Sequence, residues 1–307
     1  MVGTKLRAAT HLFDGHFRVL QAGGRETIAG RLERLTFLDS AADLLQRGVR
    51  AAVPQDTAAK DVLSGTWLGH PVHPPLTDAV IGSWTSAWLL DLAGGERSRS
   101  GSELLLGAGI VAALPTAAAG LSDWAELRGG TRRVGLVHAL GNTTALTVQL
   151  LSLRARRRGE HGKGVGLSTV AMGVAGLSAL LGGYLSFGRG VGVNQTAFED
   201  FPTAWTALTD ESQLEAGKPL RRSAAGAGVM LVLHRGEIHA LADRCSHRGC
   251  SLAEGTLRDG TITCKCHGST FTLDGRVVTG PATSPQPSLE VRVHDGKIEV
   301  RRPAEQG

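Results

Sequence analysis

Aromatic side chains are scarce in this chain: seven phenylalanines, five tryptophans and one tyrosine among 307 residues. No aromatic platform stands beside the basic clusters, so the base stacking that single-stranded nucleic acid requires has no support. The net charge of +5 is likewise not gathered into one basic face, because the arginines sit in short clusters between apolar runs. That distribution reads as a membrane topology signal, and nucleic acid is not an expected partner. The first twenty-five residues hold no apolar core with a cleavage site, so no ordinary signal peptide is read there. A repeat at solenoid spacing is also lacking. Cysteine is confined to four positions, all between 245 and 266.

Apolar length is abundant. Four segments, Leu76–Leu92, Leu104–Leu121, Val134–Leu153 and Val165–Phe187, approach the ~20 residues needed to cross a bilayer core. They lack a polar stripe. Small residues such as Ala171, Ala175, Ala179, Gly176 and Gly183 recur where helices would touch. Pro115 is expected to kink the second segment. Before them, Ile28, Leu32, Leu35, Leu38, Leu45 and Val49 recur at helical spacing, which predicts amphipathic helices packed on the protein or lying in the interface. After Phe187 a glycine-rich, then polar, stretch reads as a hinge. From about residue 204, short β-like runs alternate with Arg235-Gly236, Asp259-Gly260, Asp274-Gly275 and Asp295-Gly296 turns. The expected fold is therefore multidomain: an N-terminal α-helical membrane bundle of about four transmembrane helices and a C-terminal all-β domain. The expected boundaries are a flexible N-terminus at 1–25, helices at 26–190, a linker at 191–203 and the β domain at 204–303.

The β domain carries the chemistry. Cys245-Ser246-His247 is followed, after sixteen intervening residues, by Cys264-Lys265-Cys266-His267. Each box offers one thiolate and one imidazole, a donor set for a two-iron cluster with one iron on sulfur and one on nitrogen. Zinc also accepts two Cys and two His, although its fingers usually place a Cys pair before a His pair. Gly249 and Gly268 would let tight loops fold over the metal.

The run CSHRGC…CKCHGS resembles the two cluster-binding loops of the Rieske protein family, over roughly the last hundred residues. The resemblance implies a [2Fe–2S] cluster, with Cys245 and Cys264 on the buried iron and His247 and His267 on the outer one. It also implies a Cys250–Cys266 disulfide between the loops, and hence an oxidising compartment. In high-potential relatives a serine hydroxyl donates to a bridging sulfide and a tyrosine hydroxyl to a ligand cysteine. This chain keeps Ser269 but has Phe271 at the tyrosine position, which implies a potential below that of the quinol-oxidising subunits. Gly280-Pro281-Ala282 resembles the loop that covers the cluster.

Gly69-His70-Pro71-Val72-His73-Pro74, with the four apolar segments, resembles a bacterial membrane-domain family carrying a GHPxHP motif. That resemblance supplies architecture alone. Four spans would put His70, His73, Asp123, Trp124 and His138 on the same side of the membrane as the β domain. An ionisable residue inside a span is a functional candidate. His70, His73 and His138 are read as a haem b or quinone site, set against plain helix packing. Arginines at 154–158, with Lys163, Arg97 and Arg99, outweigh Arg128, Arg132 and Arg133 at the other end. The positive-inside rule then places a multi-pass protein in a bacterial cell membrane with its β domain outside. The expected function is single-electron transfer between a donor and an acceptor, with a redox protein or quinone as partner. The alternatives are a subunit of a quinol-oxidising complex, a donor to a separate oxygenase, and a redox sensor.

Overall fold

The computed structural model describes residues 27–304. The flexible stretch expected at 1–25 lies outside the described residues.

Helix α1 (Ile28–Leu32) opens on Thr27, whose hydroxyl accepts the Gly30 N–H at 3.0 Å. Helix α2 (Asp39–Ala52) follows, and α3 (Ala58–Ser64) opens on Thr57 in the same manner. Gly65 ends α3 in the left-handed region at φ 84°, where a side chain would run into the backbone of His70 and Val72. Four long helices then alternate with short turns: α4 (His73–Ala93), α5 (Arg99–Trp124), α6 (Gly129–Arg157) and α7 (His161–Gly183), the last closed by a π-helical turn at Tyr184–Gly188. Pro74 and Pro75 sit in the first turn of α4, where a missing N–H leaves nothing unpaired. Packing is strongest between α4 and α5 and between α6 and α7, so the bundle is two helical hairpins.

Helices α5, α6 and α7 are long and apolar enough to cross a membrane. Helix α4 forms over the expected length but is not among them, because Asp78, Asp91, Ser83, Thr85 and Ser86 dilute its apolar run. Asp91 is met by Arg156 of α6 at 2.5 and 2.7 Å and by the Ser102 hydroxyl of α5 at 2.6 Å, with both ionic side chains fully buried. Breaking such a pair leaves an unpaired buried charge, at about 3–5 kcal/mol. At the other end of the bundle Asp39 accepts from Arg132 at 2.7 Å and Arg133 at 2.6 Å, which anchors α2 on the start of α6. Those two guanidiniums hold the Asp39 carboxyl well below its ordinary range.

The named strands of the C-terminal domain all pair antiparallel. Six strands pair in the order β1 (Thr206–Asp210), β10 (Lys297–Arg301), β9 (Ser288–His294), β4 (Glu237–Ala242), β3 (Ala227–His234) and β2 (Leu220–Ala224). Four shorter strands follow sequence order: β5 (Thr256–Arg258), β6 (Thr261–Thr263), β7 (Thr270–Thr272) and β8 (Val277–Thr279). The Arg235-Gly236, Asp259-Gly260 and Asp295-Gly296 turns all have positive φ at both residues, the backbone that a two-residue hairpin demands. Alternation along β3 feeds two cores. Val229 and Leu231 pack with Ala240, Leu289 and Ile298, whereas Met230 and Val232 pack with Leu241, Ile262, Phe271 and the thiols of Cys245 and Cys264. The second core is the floor of the two Cys/His loops.

Candidate metal centre

Two six-residue loops of matching closure build the site. In Cys245–Cys250 the first N–H donates to the last carbonyl at 2.8 Å, and the Gly249 N–H returns to the Cys245 carbonyl at 2.8 Å. In Cys264–Ser269 the same two bonds measure 2.8 and 3.0 Å, the second made by Gly268. Gly249 and Gly268 occupy the fifth position with φ of 75° and 80°, which an L side chain resists. Cys250 and Cys266 are joined at 2.10 Å, linking the loops as expected. Their sulfurs and that of Cys264 lie within 4.8 Å of one another, but two of the three are already bonded together and have no lone thiolate to give. The available sulfurs are those of Cys245 and Cys264, both buried.

Buried Gln286 braces the first loop. Its amide donates to the Ala242 and Arg244 carbonyls at 2.7 Å each and accepts the Ser246 N–H at 3.0 Å. From the linker, the Gln195 N–H donates to the Ser246 carbonyl at 2.9 Å.

The donor atoms fit a two-iron cluster. The Cys245 and Cys264 thiols are hydrogen-bond neighbours, which holds Cys264 down to about 6 while its partner is pushed up. The rings of His247 and His267 stand edge to face, 5.1 Å between centroids. Burial drives His247 well below its ordinary range, and burial pushes His267 down to about 4 against the opposing pull of Glu126. Both are therefore neutral near pH 7, the form in which imidazole binds metal. His247 Nδ1 is buried with no hydrogen-bond partner, which is compatible with a metal-binding nitrogen. Cys245 and Cys264 are buried, whereas His247 and His267 are only partly so.

Ser269 is fully buried, and its oxygen accepts the Ala282 N–H at 3.0 Å, so its own proton remains free to donate toward the cluster space. Phe271 faces Ile262 across β6 and β7 in the same core as the two thiols and offers no donor.

The helical half covers the imidazole edge. His267 Nε2 lies 3.7 Å from Glu126 Oε2, with side chains 10% and 4% exposed. Glu126 stands in the turn after α5, and the carbonyls that α5 leaves open there are taken by Gln46 and Arg50 of α2. Its other oxygen accepts from Lys60 at 3.0 Å and from Gln55 at 2.6 Å. Lys60 also donates to the Ser122 hydroxyl and carbonyl, both at 3.1 Å, which satisfies its buried ammonium. Around this contact the Gly280 N–H donates to Asp61 at 2.6 Å, and the Thr66 hydroxyl to the Ala282 carbonyl at 3.3 Å. A side chain on Gly280 would collide with Thr66, and one on Gly268 would lie 2.9 Å from Asp56. Lys60, Asp61, Thr66 and Glu126 were not legible as site residues; the signal available was an acidic residue just beyond the end of a span.

The membrane histidines separate into two kinds. His70 is exposed, with Nδ1 on its neighbour's Pro71 carbonyl at 2.7 Å. His73 and His138 are partly buried between helices, their Nδ1 atoms 3.0 Å from the Thr116 carbonyl and 2.8 Å from the Ser178 carbonyl.

Residues 204–292 match the family model described as Rieske [2Fe-2S] domain, and residues 69–195 that described as predicted membrane protein (DUF2231). The cytochrome b6-f complex iron-sulfur subunit of Chlorobaculum tepidum is 38% identical over 72 residues, which are 24% of this chain and 39% of that one. Ferredoxin CarAc of Metapseudomonas resinovorans is 33% identical over 31% of this chain and 92% of its own length. The 3-phenylpropionate/cinnamic acid dioxygenase ferredoxin subunit of Photorhabdus laumondii is 39% identical over 25% and 76%. With paired Cys/His loops, a disulfide between them and a match over 92% of a ferredoxin, the chain belongs to the Rieske [2Fe–2S] family and joins that domain to a membrane-protein domain.

Proposed function

We propose that this protein is a membrane-anchored Rieske electron carrier whose redox tip is seated on its own membrane domain. Cys245 and Cys264 would hold the inner iron and His247 and His267 the outer iron of a [2Fe–2S] cluster, which supplies reversible one-electron exchange. The observation that carries the reading is the 3.7 Å approach of His267 to Glu126 with both side chains almost out of water. An electron entering or leaving by the imidazole edge then meets the membrane domain before it meets solvent. Glu126 and Lys60 shape the local field there, while Asp61 and Thr66 hold the covering loop at Gly280–Ala282.

The reading includes four spans, with α4 as the least apolar and Asp91 neutralised by Arg156 within the bundle. It places the Rieske domain on the outer face. Arg132 and Arg133, two of the positive charges at its end of the bundle, are paired with Asp39 and Asp43, whereas the opposite end keeps Arg154, Arg157 and Arg158 in the last turn and cap of α6. The disulfide agrees with an oxidising compartment. The linker is taken as 191–203 and the Rieske domain as 204–303.

Donation to a separate oxygenase, as the ferredoxin relatives suggest, or a place in a quinol-oxidising complex would require the imidazole edge to leave Glu126. The test is EPR and redox titration of the purified full-length protein, followed by reduction kinetics with quinol and with reduced ferredoxin. A Rieske signal that is rapidly reduced supports the carrier. Iron and acid-labile sulfide missing from anaerobically prepared material overturns it.

A further inference from the structure

Away from the Rieske domain, the two hairpins of the bundle leave a trough between them. Helices α5 and α6 are joined by a short turn at 125–128, and each packs more closely on its own hairpin partner than on the other. Between the first half of α5 and the end of α6 lies a groove of about 710 Å³. One wall is α5 from Glu103 to Pro115, and the other is Leu153 and Arg157 of α6. Small residues Gly107, Ala108 and Ala112 line it, and a Cβ built on Gly107 meets nothing within 4 Å. Leu104 and Val111 along the same wall are 74% and 67% exposed. A second hollow of about 550 Å³ shares Leu153 and Arg157 and continues over Leu150, Leu151, Arg154 and Arg158. The two meet at the shared pair of residues.

The charge at the mouth is uncompensated. Arg154, Arg157 and Arg158 are spaced by three and four residues, which puts them on one face at the end of α6. All three are exposed. The nearby carboxylates are engaged elsewhere: Asp91 by Arg156, Glu160 by Lys163 at 2.9 Å and Glu96 by Arg99 at 3.0 Å. Glu103 lines the same groove as Arg157 without coming within ion-pair distance of it. Among the described residues, none of the three arginines has an ion-pair partner.

Dimensions and polarity together select the occupant. From Glu103 to Pro115 helix α5 rises about 18 Å, close to the ~15 Å depth of hydrocarbon in one leaflet. The trough is therefore cationic at the end of the bundle and apolar from there to about mid-bilayer, which is the polarity profile of one phospholipid. Guanidinium groups hold phosphate oxygens in paired hydrogen bonds. A zwitterionic headgroup would bring its own cation against the arginines, whereas an anionic one would not. A second copy of the chain docked by this same face would set like charges against each other.

We propose that the trough between α5 and α6 seats one anionic phospholipid, its phosphate on Arg154, Arg157 and Arg158 and an acyl chain along the wall from Gly107 to Pro115. Basic pockets between membrane helices take such headgroups by the same electrostatics. The proposal rests on the helices lying in a bilayer and is independent of the carrier reading.

The test is native mass spectrometry of the full-length protein released from nanodiscs that hold equal amounts of phosphatidylglycerol and phosphatidylcholine with the same chains. One retained phosphatidylglycerol per chain is expected, preferred by about tenfold or more. Arg154→Gln, Arg157→Gln and Arg158→Gln together should abolish the preference. Gly107→Leu fills the trough, leaves the arginines in place and should lower retention. Glu103→Gln removes a repelling charge and should raise it. Circular dichroism with unchanged helix content shows that each variant is folded, whatever the state of the cluster. Equal retention of the two lipids, a preference that survives the triple substitution, or retention untouched by Gly107→Leu overturns the proposal. So does displacement of the lipid by inorganic phosphate, or a dimer found in place of bound lipid.

Discussion

His267 and Glu126 meet across the seam between the two domains, imidazole Nε2 to carboxylate Oε2 at 3.7 Å, with the carboxylate tied to Lys60 on its far oxygen at 3.0 Å. A negative charge held beside an outer ligand favours the oxidised, more positive state of the centre. Glu126→Gln removes that charge and leaves the Lys60 ammonium. The midpoint potential should rise by about 1 kcal/mol, or roughly 40 mV for one electron, after allowing for partial neutralisation by Lys60. Redox titration of the Rieske EPR signal measures it; a potential that stays put or falls would show that the two domains do not meet this way in solution.

Phe271 tests the inner side of the same centre. Its ring is fully buried in the core that contains Cys245 and Cys264. Phe271→Tyr adds a hydroxyl able to donate toward a ligand sulfur, which stabilises the more negative reduced state. A hydrogen bond to a charged group contributes about 1.5 kcal/mol or more, so the midpoint should rise by on the order of 60 mV. An unchanged midpoint in a folded protein sinks this ordering of donors.

The two Cys/His loops were legible because their donor pattern is local: Cys245, His247 and Gly249 lie within five residues, and the second loop repeats the plan. Short β runs and long apolar segments were legible for the same reason, since strand and span periods are written in neighbouring residues. The docking contacts were not. Gly280 meets Asp61 across 219 positions, and Lys60 meets Glu126 across 66. Each of these residues looks like an ordinary polar group at a helix end until the fold closes. Helix α4 is harder to read for a related reason. Its Asp91 lowers the apolar character of the run, yet Arg156 of α6 removes the cost of burying it, and no local pattern announces that partner.

Cys250 and Cys266 close a loop of sixteen residues in sequence separation. Cys250→Ser should lower the stability of the domain by about 3 kcal/mol, the chain-entropy expectation for a loop of this size. Urea unfolding of wild-type and variant protein measures the difference. Cluster retention, followed by visible absorbance, should fall in parallel under mild reductant.

Asp39 carries a pH signature. Arg133 and Arg132 hold its carboxyl below the ordinary value, so the folded state binds its proton less readily than the unfolded chain does. Stability from this contact is fully present above the unfolded value of about 4 and is lost as the pH falls below it toward the lower folded value. Asp39→Asn should therefore be less stable than wild type near neutrality, and the two melting temperatures should converge on acidification. A gap that stays constant from pH 6 to pH 2 would exclude the ion pair as its source.

Gly280 gives the most direct test of docking itself. Its backbone N–H donates to Asp61 at 2.6 Å, and a Cβ there would collide with the Thr66 hydroxyl and stand 2.9 Å from the Asp61 carboxylate. Gly280→Ala should separate the Rieske tip from the membrane domain while leaving the two-sheet fold intact, because the obstruction lies in the other domain. Released from its seat, the linker around residues 191–203 should be cut faster by protease, and His267 should become open to imidazole-modifying reagents. Thr66→Gly in the same chain removes the obstructing side chain and should restore much of the protection. If Gly280→Ala instead loses its Rieske signal outright, with no rescue by Thr66→Gly, the glycine serves the cluster loop and not the interface.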